Sequence, residues 1–239
     1  MHRLVLVVLA ALQSSRPTSH PADEPRWVEP PGPDTPDVTA LLARAEQRLK
    51  TTDVSTVLCD PEFLPLHPRP SFRALIRDHA TGASVRMVPD GEPGEPLTLD
   101  GRVVDAGGAP AAGVLVYAYH TDARGWYAAA APHVSGNSGD QKHARLFAYL
   151  TTDRDGRFAL RTIRPAGYPR SDLPQHVHVE LFLAGRCVLV TEIRFADDPR
   201  LTPALRARSR QDGAVVVPVQ RDRTGSRCEA TLSLPSARK

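Results

Sequence analysis

The chain has 239 residues, 41% hydrophobic and 24% charged, enough for one substantial core with irregular sequence around it. Its 23 prolines and 16 glycines, against 6 phenylalanines and 2 methionines, point to a turn-rich β protein in which long helices are few. A net charge of +3, with Lys and Arg dispersed along the chain, argues against a nucleic-acid surface.

The chain opens with Met1, His2 and Arg3, then the apolar run Leu4–Leu12, then polar residues. This is the basic, apolar, polar order of a signal peptide, expected over 1–15, and it implies a secreted or periplasmic protein; a buried first strand or a start codon set too early leaves a cytoplasmic one. The run is too short to span a membrane. No Ala-x-Ala cleavage site follows, and no cysteine that would accept a lipid anchor. Residues 16–36 are rich in Pro, Ser, Asp and Glu and read as a disordered linker.

From Asp37 to Lys50, Val38, Leu41, Leu42, Ala45 and Leu49 recur at helical spacing behind a Thr-Pro-Asp start, which predicts one short amphipathic helix. Its apolar face packs either on the core or on a second subunit of a homodimer. The segment 37–95 is the N-terminal extension, in which alternating runs occur at Ser71–Asp78 and Ala83–Pro89. Regular strand signals then predict strands near Leu97–Asp105, Gly113–His120, Arg145–Thr152, Arg157–Ile163, His176–Leu183, Arg186–Phe195, Ala214–Gln220 and Arg227–Leu234, separated in places by glycine-bearing turns. The fold class is therefore all-β: a β-sandwich of about eight strands over 96–235, carrying one helix in its extension. Cys59, Cys187 and Cys228 allow at most one disulfide and form no zinc pattern; Cys187, in an apolar run, is expected to be a buried small hydrophobe.

The chemistry concentrates at Tyr168 and His176-Val177-His178. Residues i and i+2 of a strand face the same way, so the two imidazoles point together from one side of a sheet. A bare His-x-His is more readily a surface pair on a half-buried strand than a metal site. The surrounding phrases add weight: Gly125-Trp126-Tyr127 after a strand, Thr152-Asp153-Arg154-Asp155-Gly156 at a turn, Gly167-Tyr168-Pro169, and Gln175-His176-Val177-His178, in that order.

This order resembles the intradiol ring-cleavage dioxygenases, over roughly residues 97–200. The resemblance implies a non-haem iron(III) site held by Tyr127, Tyr168, His176 and His178. It implies an enzyme that takes an aromatic diol and O2, and cleaves the ring between its hydroxyl-bearing carbons to a muconate-type diacid. Tyr168 would be the axial ligand, opposite His178, that leaves iron and accepts a substrate proton; Tyr127 and His176 would stay bound. The donor types agree, because two phenolates suit a hard trivalent metal whereas two histidines and one carboxylate suit ferrous iron. His120 resembles a supporting position, His133 and His143 lie in a polar loop, and Phe195–Pro199 resembles a structural strand end.

Two positions next to the expected reaction centre depart from the family pattern. Leu173 stands where many members have arginine, with Arg170 near but at the wrong spacing, and Glu192 stands where many have glutamine. Glu192 is expected to pair with Arg170 or Arg194. Loss of a positioned cation would weaken ring cleavage or redirect it to another substrate. Other readings are an iron-binding homologue with altered activity, and a non-catalytic sandwich module of the transthyretin or carboxypeptidase-regulatory type, which shares the turn phrases but lacks the tyrosine–histidine set.

Overall fold

The computed structural model describes residues 32–128 and 144–236. The signal-like segment, most of the linker, His133 and His143 lie outside these residues.

Four helical elements precede the strands. α1 (Pro36–Leu49) begins where Thr35 accepts the Val38 N–H and Pro36 needs no partner, and buries Ala45 and Leu49. Its apolar face packs on the chain's own core. α2 (Val54–Leu58) is capped by Asp53, and a 3-10 helix spans Pro61–Leu66. α3 (Pro70–Asp78) occupies the run whose alternation looked strand-like. Pro70 opens this helix, and Phe72, Arg73 and Ile76 recur at helical spacing to form its buried face, so period 3.6 prevails over period 2.

The remainder forms two five-stranded sheets among the described residues. One has the order β1-β5-β2-β10-β9, from β1 (Ser84–Arg86), β2 (Pro96–Val104), β5 (Arg157–Ile163), β9 (Val219–Asp222) and β10 (Gly225–Ser233). The other has the order β4-β3-β6-β7-β8, from β3 (Leu115–His120), β4 (Leu146–Thr151), β6 (His176–Leu183), β7 (Arg186–Phe195) and β8 (Val215–Val217). The strand expected over Ala214–Gln220 is two strands in different sheets. Pro218 lies between them; lacking an N–H, it cannot continue a ladder, and the chain crosses from β7's edge to β10's at this residue. A fourth helix, α4 (Pro203–Gln211), links β7 to β8.

The sandwich expectation holds, with ten strands in place of eight. Alternation decides which face is core. On the second sheet Val116, Ala118, Val177, Val179 and Leu181 are fully buried and join Leu97, Leu99, Val103 and Leu160 of the first sheet in one apolar cluster. The opposite face of that sheet carries Tyr117, Tyr119, Phe147, His176 and His178. The helical extension covers part of it: Phe72 and His67 lie against the Phe147 ring at 6.4 and 5.5 Å. Cys187 is exposed near the β6–β7 turn, contrary to expectation, while Cys59 and Cys228 are buried; all three thiols are free. Cys187 pairs with Phe182 of β6, but β8 borders β7 only at Ile193–Phe195, so this end of β7 is a sheet edge. No helix among the described residues is long and apolar enough to cross a membrane.

Candidate metal centre

His176 and His178 open β6 with their rings on the same side, as the i, i+2 rule requires. His176 Nδ1–H donates to the Pro174 carbonyl at 2.7 Å, which leaves Nε2 with its lone pair directed into the site. His178 lies flat against Tyr119, ring centroids 4.6 Å apart and planes 12° from parallel, Tyr119 being its partner on β3. The Nε2 atoms of the two histidines stand 3.1 Å apart.

Tyr127 comes from a turn after β3. Asp122 organises that turn by accepting the N–H groups of Arg124 and Trp126, and the Arg124 guanidinium lies 4.1 Å over the Trp126 ring. Gly125, at φ +81°, approaches the Gly167 carbonyl so closely that an added Cβ would lie 2.3 Å from it. Two further bonds, Thr121 Oγ1–H to Ala166 O and Ala166 N–H to Asp122 O, fasten this turn to the segment that carries Tyr168. The phenol oxygens of Tyr127 and Tyr168 are in direct contact. Tyr127 Oη lies 2.7 Å from His178 Nε2, and Tyr168 Oη lies 3.0 Å from His176 Nε2 and 3.4 Å from His178 Nε2. All four residues are buried.

Two phenol oxygens and two imidazole nitrogens, from three separate segments, thus point at one another. Without a cation, each phenol proton can be given to an imidazole lone pair. Burial, then the adjoining Tyr168, raises the Tyr127 pKa well above the ordinary phenol range, so its ionisation near neutral pH requires a cation at this point. The donor set fits a hard trivalent ion.

A brace behind the site holds β6 in place. Asp198 accepts the Gln175 N–H. Arg164, at the end of β5, gives Nε–H to Gln175 Oε1 at 2.8 Å and two N–H groups to Asp197 at 2.6 and 3.0 Å. Asp197 and Asp198, read from sequence only as part of a strand-end turn, therefore fix the residue that precedes His176. Arg164, Tyr119 and the Gly125–Gly167 approach were missed; the register that places Tyr119 on His178 has no local sequence signal.

The other expected residues divide. Glu192 faces His178 across the β6–β7 ladder and pairs with Arg194, not Arg170, at 2.7 and 3.0 Å. Together with His176 and His178 it also forms a group of His and acidic side chains close enough to hold a metal. Leu173 is half-buried against the core and supplies neither charge nor a side-chain hydrogen bond. His120 is fully buried, donating Nδ1–H to Thr121 O and accepting from Thr162 Oγ1, both at 2.7 Å; it ties β3 to β5 and stands apart from the quartet. Arg170, exposed and at φ +60°, follows Tyr168 in the loop to β6.

The family model described as Dioxygenase matches residues 69–232, more than half of the chain. The chain belongs to the intradiol ring-cleavage dioxygenase family. Among curated members, it is 34% identical over 155 residues to the protocatechuate 3,4-dioxygenase beta chain of Burkholderia cepacia, covering 59% of this chain and 60% of that one. It is 30% identical over 122 residues to catechol 1,2-dioxygenase of Acinetobacter baylyi, covering 44% of this chain and 38% of that one. The dioxygenase-family chain thus spans less than two thirds of the length of these relatives. The solved structure of catechol 1,2-dioxygenase from Pseudomonas arvilla C-1 has the same fold, with a TM-score of 0.50 and 22% identity over 86% of this chain and 80% of that one.

Proposed function

We propose that this protein is a non-haem iron(III) dioxygenase that cleaves a catechol-like aromatic between its two hydroxyl-bearing carbons. The observation that carries the reading is the convergence of Tyr127 Oη, Tyr168 Oη, His176 Nε2 and His178 Nε2, each within 3.4 Å of at least one other. These four residues are the proposed ligands. When bound, ferric iron supplies a Lewis acid that chelates the diol and draws charge from its ring, which opens the ring to O2.

The chain's own residues do the rest. His176 gives its Nδ1–H to Pro174 O, which turns Nε2 into the site. By the family pattern, Tyr168 would be the phenolate that takes a diol proton at Oη, and Tyr127, held in the Asp122 turn, would stay a ligand.

Leu173 and Glu192 motivate a restriction on this activity. With an apolar side chain at the first and a carboxylate already paired to Arg194 at the second, no unpaired cation from these positions faces the ring. Turnover of plain catechol is expected to be slow, or the activity to be directed to another catechol-like substrate.

Protein reconstituted with iron should be red-brown through phenolate-to-iron absorption. It should consume O2 with one or more catechols and give a product of substrate mass plus two oxygen atoms. A colourless, iron-free protein after reconstitution would refute the metal reading; coloured protein inert towards a broad catechol panel would leave an iron-binding homologue without ring cleavage.

A further inference from the structure

The two histidines differ behind their metal-facing nitrogens. His176 Nδ1–H meets a neutral carbonyl. His178 Nδ1 instead faces a carboxylate, Glu192 Oε1 at 3.9 Å, too far for a hydrogen bond but within reach of the charge. The carboxylate is not loose. Its Oε2 receives Arg194 Nε–H at 3.0 Å and Nη2–H at 2.7 Å, while Arg194 Nη1–H reaches Ser209 Oγ at 2.7 Å. Ser209 is fully buried in α4 and donates in turn to Leu205 O at 2.7 Å. A line of contacts therefore runs from the imidazole to a helix on the far side of β7.

We infer that Glu192 is a positioning residue that acts through His178, setting how strongly that imidazole donates to the metal, with Arg194 as the counter-charge that limits the effect. The inference rests on the iron reading above. A negative charge behind Nδ1 raises electron density at Nε2 and favours the trivalent over the divalent ion, as carboxylates behind metal-bound histidines do. Arg194, bound to the same carboxylate, subtracts from that charge. A direct ligand role for Glu192 fits less well, because it stands on the Nδ1 side of His178 while Nε2 faces the phenols, and Arg194 already occupies Oε2.

The charges make opposite predictions for two substitutions. In iron-reconstituted full-length protein, Glu192→Gln removes the negative charge at constant shape. The phenolate-to-iron band should move to longer wavelength and the Fe(III)/Fe(II) midpoint potential should rise. Arg194→Met exposes the carboxylate, so the band should move to shorter wavelength and the midpoint should fall. An unchanged band and midpoint in Glu192→Gln would overturn the inference, as would shifts of the same sign in both variants, which report general disturbance of packing. If Arg194→Met does not fold, the sign for Glu192→Gln decides alone. Wild-type protein that forms no coloured iron centre overturns the iron reading and this inference with it, whereas coloured wild type with unresponsive variants overturns the inference only.

Discussion

The Nε2 atoms of His176 and His178 stand 3.1 Å apart on one side of β6, and each meets a phenol oxygen. Two acceptor nitrogens at that distance repel unless a proton or a cation lies between the four groups. Removing a donor should therefore weaken metal binding more than disturbing a neighbour does. Tyr127→Phe and His178→Ala are each expected to lower iron affinity by more than the ~10–100-fold typical of losing an outer partner of a ligand. Iron content after dialysis against graded chelator reads this directly. Retention of full iron by either variant would exclude that residue as a ligand.

Gly125 joins the two tyrosine-bearing segments. Alanine there would take φ +81° and bring Cβ to 2.3 Å from the Gly167 carbonyl, so the turn or the Tyr168 segment must shift. Gly108, at φ +86° with nothing within 4 Å of an added Cβ, isolates the backbone term. Gly108→Ala should cost about 1 kcal/mol and leave iron binding unchanged. Gly125→Ala should cost an additional ~1–3 kcal/mol by denaturant titration and lower iron affinity as well. Equal stability and equal iron content in the two variants would mean that the close approach does not hold the tyrosines together.

Arg164 is buried and shared between Gln175 and Asp197. Arg164→Met keeps the stem and removes the brace in front of His176. Breaking a buried pair typically costs ~3–5 kcal/mol. Asp197 is 27% exposed and keeps Arg221 at 2.7 Å, so the low end of that range is expected. Iron affinity should fall with stability, because the Gln175 segment positions the His176 ring. A stable variant with normal iron binding would reduce Arg164 to a surface ion pair.

His67 makes the fold sensitive to acid. Its ring is buried against Phe72, donates Nδ1–H to Arg145 O at 2.7 Å, and burial lowers its pKa from 6.5 to about 4. His120 is lowered to about 4 in the same way. Between these values the unfolded chain binds a proton that the folded chain refuses, so stability is undiminished above about pH 6.5 and declines as pH falls towards 4. At 1.36 kcal/mol per unit, each residue accounts for a loss on the order of 3 kcal/mol. The Tm should drop across that window, and His67→Phe should flatten part of the drop. A Tm that is constant from pH 7 to pH 4 would contradict the buried, neutral state.

Much of the site was legible in the chain itself because its signals are local. The i, i+2 spacing of His176 and His178 sets both rings on one face of any strand, and Pro36 and the Asp153–Gly156 turn mark where elements start and stop by their own backbone chemistry. The family phrases carried Tyr127 and Tyr168 to the same centre. What depends on register or on long-range approach had no such signature. Ser71–Asp78 alternates like a strand and is a helix because its apolar face found Phe147. The Val215–Val219 stretch changes sheet at Pro218 because two edges were open to it. Cys187 is exposed because β8 covers β7 only at Ile193–Phe195 and leaves this end an open edge. The partner of Glu192 is Arg194, two residues away on the same strand, and not Arg170. Only tertiary structure decided that choice, because cross-strand pairing sets Glu192 beside His178 and leaves Arg170 in the loop before β6.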